Sequence, residues 1–129
     1  MVVLSGDVHH TYLAKLRFPA GAGVQSPAWQ VVCSPLRNPL PRSQRAAHRR
    51  AFRRPAAVLV RRLARLARVE PEAIGWRVVR GPCFDNHIGL LELDGRAATL
   101  RVERVCGDGG DGGPPRLEPL YDQRLAGMG

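Results

Sequence analysis

Val3-Leu4-Ser5-Gly6-Asp7-Val8-His9-His10 is the stretch on which the reading of the fold turns. Val2, Val3 and Leu4 make a short apolar, β-branched run that stops at Gly6-Asp7, the pattern of a buried strand entering a loop. Catalytic and metal sites favour such strand ends, because the sheet holds the loop rigid. Gly6 permits a sharp turn close to a ligand. Asp7 and His9 stand two residues apart, so in an extended turn both side chains point the same way. One oxygen and one nitrogen donor suit zinc, iron or manganese. The plain alternative is a surface turn in which the histidines have no role. A buried strand that starts at residue 2 also implies a chain that begins in mid-fold.

Further strands follow. In residues 11–18, Tyr12, Ala14, Leu16 and Phe18 alternate with Lys15 and Arg17, which predicts a half-buried strand. Residues 29–34 read as another strand, ended by Pro35. Three prolines exclude regular structure from 35–41. Ser43 is placed as an N-cap, with helix formers running to about Arg68. Phe52, Ala56, Leu59, Leu63 and Leu66 recur at steps of three or four as an apolar stripe, arginines fill much of the rest, and Pro55 kinks the element or opens a second helix.

Beyond the helix, residues 74–80 read as a strand around Trp76 and Val78, and Gly81-Pro82 as a turn. Residues 87–93 and 97–105 read as a hairpin joined at Asp94-Gly95. Asp85-Asn86-His87 is taken mainly as a turn or cap. The expected organisation is one unit over 1–106 with a helical insertion at about 43–69, a Gly/Pro-rich linker over 107–115 and a tail with little periodicity over 116–129. The fold class is mixed α/β (α+β): a mixed sheet layer with an Arg-rich helical insertion.

Hydrophobic residues make up 44% and charged residues 24%, which excludes collagen-like and wholly disordered classes. The net charge is +9, and Lys15 is the only lysine, so arginine carries nearly all the positive charge. That balance favours anionic partners: phosphorylated substrates, nucleic acid or an acidic membrane. A GC-rich coding sequence produces the same arginine excess without any partner. Cys33, Cys83 and Cys106 are far apart, odd in number and without a CxxC, so free thiols are expected rather than a disulfide framework or a zinc knuckle. No signal peptide is read at the opening, which leaves the compartment undetermined and the cytoplasm as default. No apolar run reaches the ~18 residues of a membrane span.

The segment 3–10 resembles the last metal-binding motif of PhoD-like (alkaline phosphatase D) metallophosphatases, a branch of the calcineurin-like phosphoesterases in which the first histidine of Gly-His-x-His is replaced by aspartate. Cys33-Ser34-Pro35-Leu36-Arg37-Asn38-Pro39-Leu40-Pro41 is similar to a loop of that family, as is Gly81-Pro82-Cys83-Phe84-Asp85-Asn86 followed by a strand and Leu93-Asp94-Gly95. The likeness spans roughly residues 2–105. It implies the C-terminal part of a metallophosphoesterase-type β-sandwich flanked by helices. It implies Asp7 and His9 as ligands of a two-metal centre (iron, calcium, manganese or zinc). His10 is then a residue that orients a ligand or touches phosphate, and Arg37 and Asn38 lie in a loop facing the site, where an arginine fork matches two phosphate oxygens; the plain alternative for those two is a structural Pro-rich turn with a solvated arginine. It further implies hydrolysis of a phosphate ester by a metal-held water of lowered pKa.

The upstream aspartate-rich motifs of that family have no counterpart here. The expectation is therefore a partial enzyme, a fragment that pairs with an upstream half. Two other readings stand beside it: a non-catalytic remnant, and a basic module that binds nucleic acid or an acidic membrane through the helix. The favoured reading of the helix packs its stripe on the parent sheet. No nucleic-acid motif is present, and aromatics are only 5% of residues, too few for a base-stacking platform.

Overall fold

The computed structural model describes residues 1–6, 9–34, 41–51, 54–70, 72–107 and 114–126. In chain order the elements are β1 (Val2–Ser5), β2 (Thr11–Arg17), β3 (Ala28–Val32), α1 (Arg42–Ala51), α2 (Arg54–Leu66), β4 (Gly75–Cys83), β5 (His87–Asp94), β6 (Ala97–Cys106) and β7 (Arg116–Ala126). The chain is thus α+β, with one mixed and one antiparallel sheet. The first sheet has the order β1-β3-β2-β4 and the second β5-β6-β7. β1 runs parallel to β3, with Val2 opposite Trp29 and Ser5 opposite Val32. β2 is antiparallel to both its neighbours, and the second sheet is an antiparallel meander.

One apolar cluster joins the two sheets. Leu13, Trp29 and Val31 come from the first, and Ala98, Leu100, Val102 and Leu125 from the second. β6 supplies the plainest pattern: Ala98, Leu100 and Val102 are buried, with half-buried Thr99 and exposed Arg101 between them, the two-residue period of a strand with one face in a core. Trp29 Nε1 donates to the Leu125 carbonyl at 2.7 Å. That carbonyl is available because the β6–β7 register passes from Ala98↔Ala126 to Thr99↔Arg124 and leaves Leu125 out of the ladder.

β2 is covered on both faces in its first half, so it is not the half-buried strand that its alternation predicts. Leu13 faces the sheet–sheet core, while Tyr12 and Ala14 pack with Val32 and Val78 on the reverse side. β4 also runs further than expected, straight through Gly81-Pro82. Register shifts between Thr11 and Leu13 and between Leu13 and Ala14 absorb the irregularity. Gly81 sits at φ +92°, and a Cβ there would lie 2.6 Å from the Thr11 carbonyl oxygen, so only glycine fits.

The stretch read as a tail is an eleven-residue strand, β7. The hairpin between β5 and β6 pairs Asp94 with Ala97, so its two turn residues are Gly95 and Arg96, one position later than Asp94-Gly95. The helix does break at Pro55, which falls in the first turn of α2. Ser43 lies inside the first turn of α1, and the Pro41 carbonyl accepts from Arg45 N at 3.0 Å, which puts Pro41 at the cap.

α1 is fastened to the sandwich at one end. His48 lies 6.2 Å, ring to ring, from Phe84, the Arg49 guanidinium sits 5.5 Å from the Phe84 ring centre, and Arg45 pairs with Asp85 at 3.3 Å. α2 is not fastened in this way. Its substantial neighbour is α1 rather than any strand, and Leu59, Leu63 and Leu66 are all exposed. The expected packing of this stripe on the sheet is therefore not found; a stripe flanked by arginines at Arg61, Arg62 and Arg65 leaves its leucines on the surface. Phe52 lies outside the described residues.

Candidate functional site

The loop over residues 6–10 connects β1, an edge strand, to β2, an inner strand of the same sheet. His9 lies in it at φ +54°, in the left-handed region that non-glycine residues avoid and where histidine is among the tolerated few. Its neighbour His10 is 5% exposed. The His10 ring stacks on Tyr12 at 5.5 Å and lies 5.3 Å from His48 and 5.8 Å from Phe84. β2, α1 and the β4–β5 connection thus meet at this imidazole. Consecutive histidines are sent different ways: His9 stays in the loop and His10 enters an aromatic cluster. Asp7, Arg37 and Asn38 lie outside the described residues.

At the start of β2, next to His10 in the chain, is a buried polar group that the sequence did not single out. The Thr11 side chain is fully buried. Its Oγ1 accepts from the Ser34 amide at 3.2 Å and lies 3.2 Å from both the Ser34 carbonyl oxygen and His87 Nδ1. A hydroxyl has one proton and two lone pairs. The hydroxyl also lies 4.0 Å from Cys33 Sγ, so its single proton is shared among the Ser34 carbonyl, Cys33 and His87, and the His87 tautomer follows from which of them takes it. Among the described residues, His87 Nε2 and the neighbouring Asn86 Oδ1 are buried without a hydrogen-bond partner.

The electrostatics keep this corner neutral. Burial lowers the His87 pKa from its ordinary 6.5, with Asp85 opposing and Arg104 adding to the shift. Burial likewise raises the Cys33 and Cys83 thiols, which holds them protonated and poorly nucleophilic at neutral pH. All three cysteines are free, as their spacing suggested. Asp85, read as a turn residue, is the ion-pair partner of Arg45. His87 opens β5, and its only sequence signal is a histidine at the head of the apolar run Ile88-Gly89-Leu90-Leu91.

Among the described residues, no three His, Cys, Asp or Glu side chains gather into a group able to hold a metal ion. His9 is the one described member of the expected ligand pair. No helix is long and apolar enough to cross a membrane. No protein-family model matches the chain, and neither a curated protein nor a solved structure matches it. What the geometry defines is a class: an α+β chain of two stacked sheets, with His9 at positive φ between β1 and β2 and an arginine-rich helical excursion.

Proposed function

We propose that this chain is the C-terminal part of a PhoD-like, metal-dependent phosphoesterase of the calcineurin-like type. In this reading residues 6–10 supply the last metal-binding motif, with Asp7 and His9 as donors. What supports it is the segment Gly6-Asp7-Val8-His9-His10 standing directly between β1 and β2, with His9 at φ +54°, a region histidine tolerates. Two stacked sheets with the loop at the end of a strand paired in parallel also agree with a metallophosphoesterase-type sandwich.

The described residues do not enclose a metal on their own. In this reading the chain contributes a part of a two-metal centre, and the remaining donors come from another segment. Asp7 and His9 would hold a metal there, and the chemistry such a metal would supply is a water of lowered pKa and charge facing the phosphoryl oxygens. The role of the chain's own residues is to hold one imidazole at a rigid strand end and to pack His10 behind it. Arg37 and Asn38 are assigned to the phosphate, and the substrate class is a phosphate mono- or diester.

The test is metal binding to the purified 129-residue chain, followed by calorimetry and elemental analysis with manganese, zinc, iron and calcium, alongside hydrolysis of a nitrophenyl phosphate ester. Weak binding that both Asp7→Ala and His9→Ala abolish supports the assignment, as does hydrolysis that appears only when an upstream segment with aspartate-rich motifs is added. Metal affinity unchanged in both variants removes the ligand pair and leaves a non-catalytic chain.

A further inference from the structure

We propose that α2 is an interfacial helix that lies on an anionic lipid surface. Three observations carry this, and none depends on the metal-site reading.

The first is the exposed face. Leu59, Leu63 and Leu66 are 58%, 55% and 81% exposed. On a 3.6-residue helix they fall within roughly 60° of one another. Scattered exposed leucines need no explanation, whereas a continuous row of them on one helix face does.

The second is charge. Arg61 and Arg65 lie on the opposite side of the helix and Arg62 at its flank, all exposed. Between Asp7 and Glu70 the sequence has no aspartate or glutamate. α2 itself therefore carries no acidic residue, the nearest being Glu70 beyond its end, and none of the ion pairs among the described residues involves α2. Arginine stems can lie along an apolar boundary while their heads stay with the phosphates.

The third is position. α2 leans on α1 and on no strand to a substantial degree, so its leucine face is not turned into the sandwich. At thirteen residues it is about 20 Å long, too short to span a bilayer, but it suits a helix lying in the plane of the headgroups.

The combination selects the partner. A nucleic acid would engage the arginines and leave the leucines in water. A second copy of the chain would cover the leucines but leave Arg61 and Arg65, on the far side, without an anionic partner. An anionic bilayer accepts both faces at once: leucines at the acyl boundary and guanidinium groups among the headgroups.

The experiment is co-sedimentation of the full 129-residue chain with phosphatidylcholine vesicles, with and without phosphatidylserine. Binding is expected only when phosphatidylserine is present, and it weakens with added salt. Leu59→Gln/Leu63→Gln and, separately, Arg61→Gln/Arg62→Gln are each expected to reduce partitioning by roughly tenfold or more. Both pairs are exposed, so the core is untouched, and unchanged thermal unfolding without vesicles verifies that. Three results overturn the proposal. One is equal binding to neutral vesicles. Another is binding that the leucine variant leaves intact. The last is absence of vesicle binding, including cases where the same substitutions abolish self-association, DNA binding or capture of an acidic protein.

Discussion

Thr11 Oγ1 and His87 Nδ1 stand 3.2 Å apart, and this contact ties β2 of the first sheet to β5 of the second. The two residues are separated by 76 positions. The same hydroxyl also contacts both backbone groups of Ser34, so one threonine at the start of β2 links three segments.

Removing the hydroxyl while keeping the shape should expose its worth. Thr11→Val leaves the Ser34 amide and His87 Nδ1 without their buried partner, a loss of about 1–3 kcal/mol. Urea unfolding followed by circular dichroism measures it. Thr11→Ser keeps the hydroxyl and is expected to recover most of the loss. Equal stability of Thr11→Val and the parent would mean that the contact is idle.

Acid should weaken the fold in a window set by His87. Its folded-state pKa is lowered by burial from 6.5. Above 6.5 the ring is neutral in both states, and its contribution to stability is complete. As pH falls below 6.5, the unfolded chain takes up a proton that the folded chain resists, so stability declines until the lowered folded value is reached. Denaturant midpoints between pH 7.5 and pH 5 should show that decline (roughly neutral to mildly acidic, the range in which histidine titrates). His87→Gln should flatten it. A second decline belongs to Glu118, whose carboxyl is held down to about 2, first by its hydrogen bond from Arg104 and then by Cys106 and Arg116. Its contribution is complete above its ordinary 4.5 and is lost towards pH 2; being exposed, it is small.

The bond between Trp29 Nε1 and the Leu125 carbonyl makes a third prediction. Trp29→Phe retains an aromatic ring in the core but orphans that carbonyl, at a cost of about 1–3 kcal/mol. Trp29→Ala adds a cavity and should cost about 3–5 kcal/mol. Thermal unfolding of the two variants separates the hydrogen bond from the packing.

Two glycines with positive φ should respond differently to alanine. At Gly81 a Cβ meets the Thr11 carbonyl at 2.6 Å and Tyr12 Cβ at 3.0 Å, whereas at Gly95 nothing lies within 4 Å. Gly95→Ala should cost only the backbone penalty of a left-handed alanine, about 1 kcal/mol. Gly81→Ala should cost clearly more, because β2 and β4 must separate to admit it. Similar midpoints for the two variants would contradict the tight packing at that bulge.

The strands that alternate, and the break at Pro55, are legible from the residues alone. β6 is the clearest case, since each of its inward positions is apolar. β7 is not legible, for a physical reason. Its register skips Leu120 opposite Val102 and Glu103, so Leu120 and Tyr121 both pack against the core and the two-residue period breaks. Pro119 sits at that bulge, where a missing amide does least harm. The second covering of β2 is also hidden, because its partners Val32 and Val78 lie far along the chain. The aspartate–histidine loop stands out by composition, but the Thr11–His87 contact arises only when the sheets stack. The leucine stripe of α2 is visible in the sequence as an amphipathic pattern; whether it faces a sheet or solvent is a matter of where the fold carries it.

The Trp29–Leu125 bond spans 96 positions, and that span governs how the protein reaches its native state. β2 waits for β4, which follows two helices. The inner face of the first sheet waits for β6 and β7. Little of the core can form from near neighbours, so loops must close before contacts compensate for them. The nascent polypeptide therefore holds Leu13, Trp29 and Val31 uncovered until the second sheet arrives. Such a topology folds slowly, on the order of milliseconds to seconds, and spends that interval exposed to aggregation.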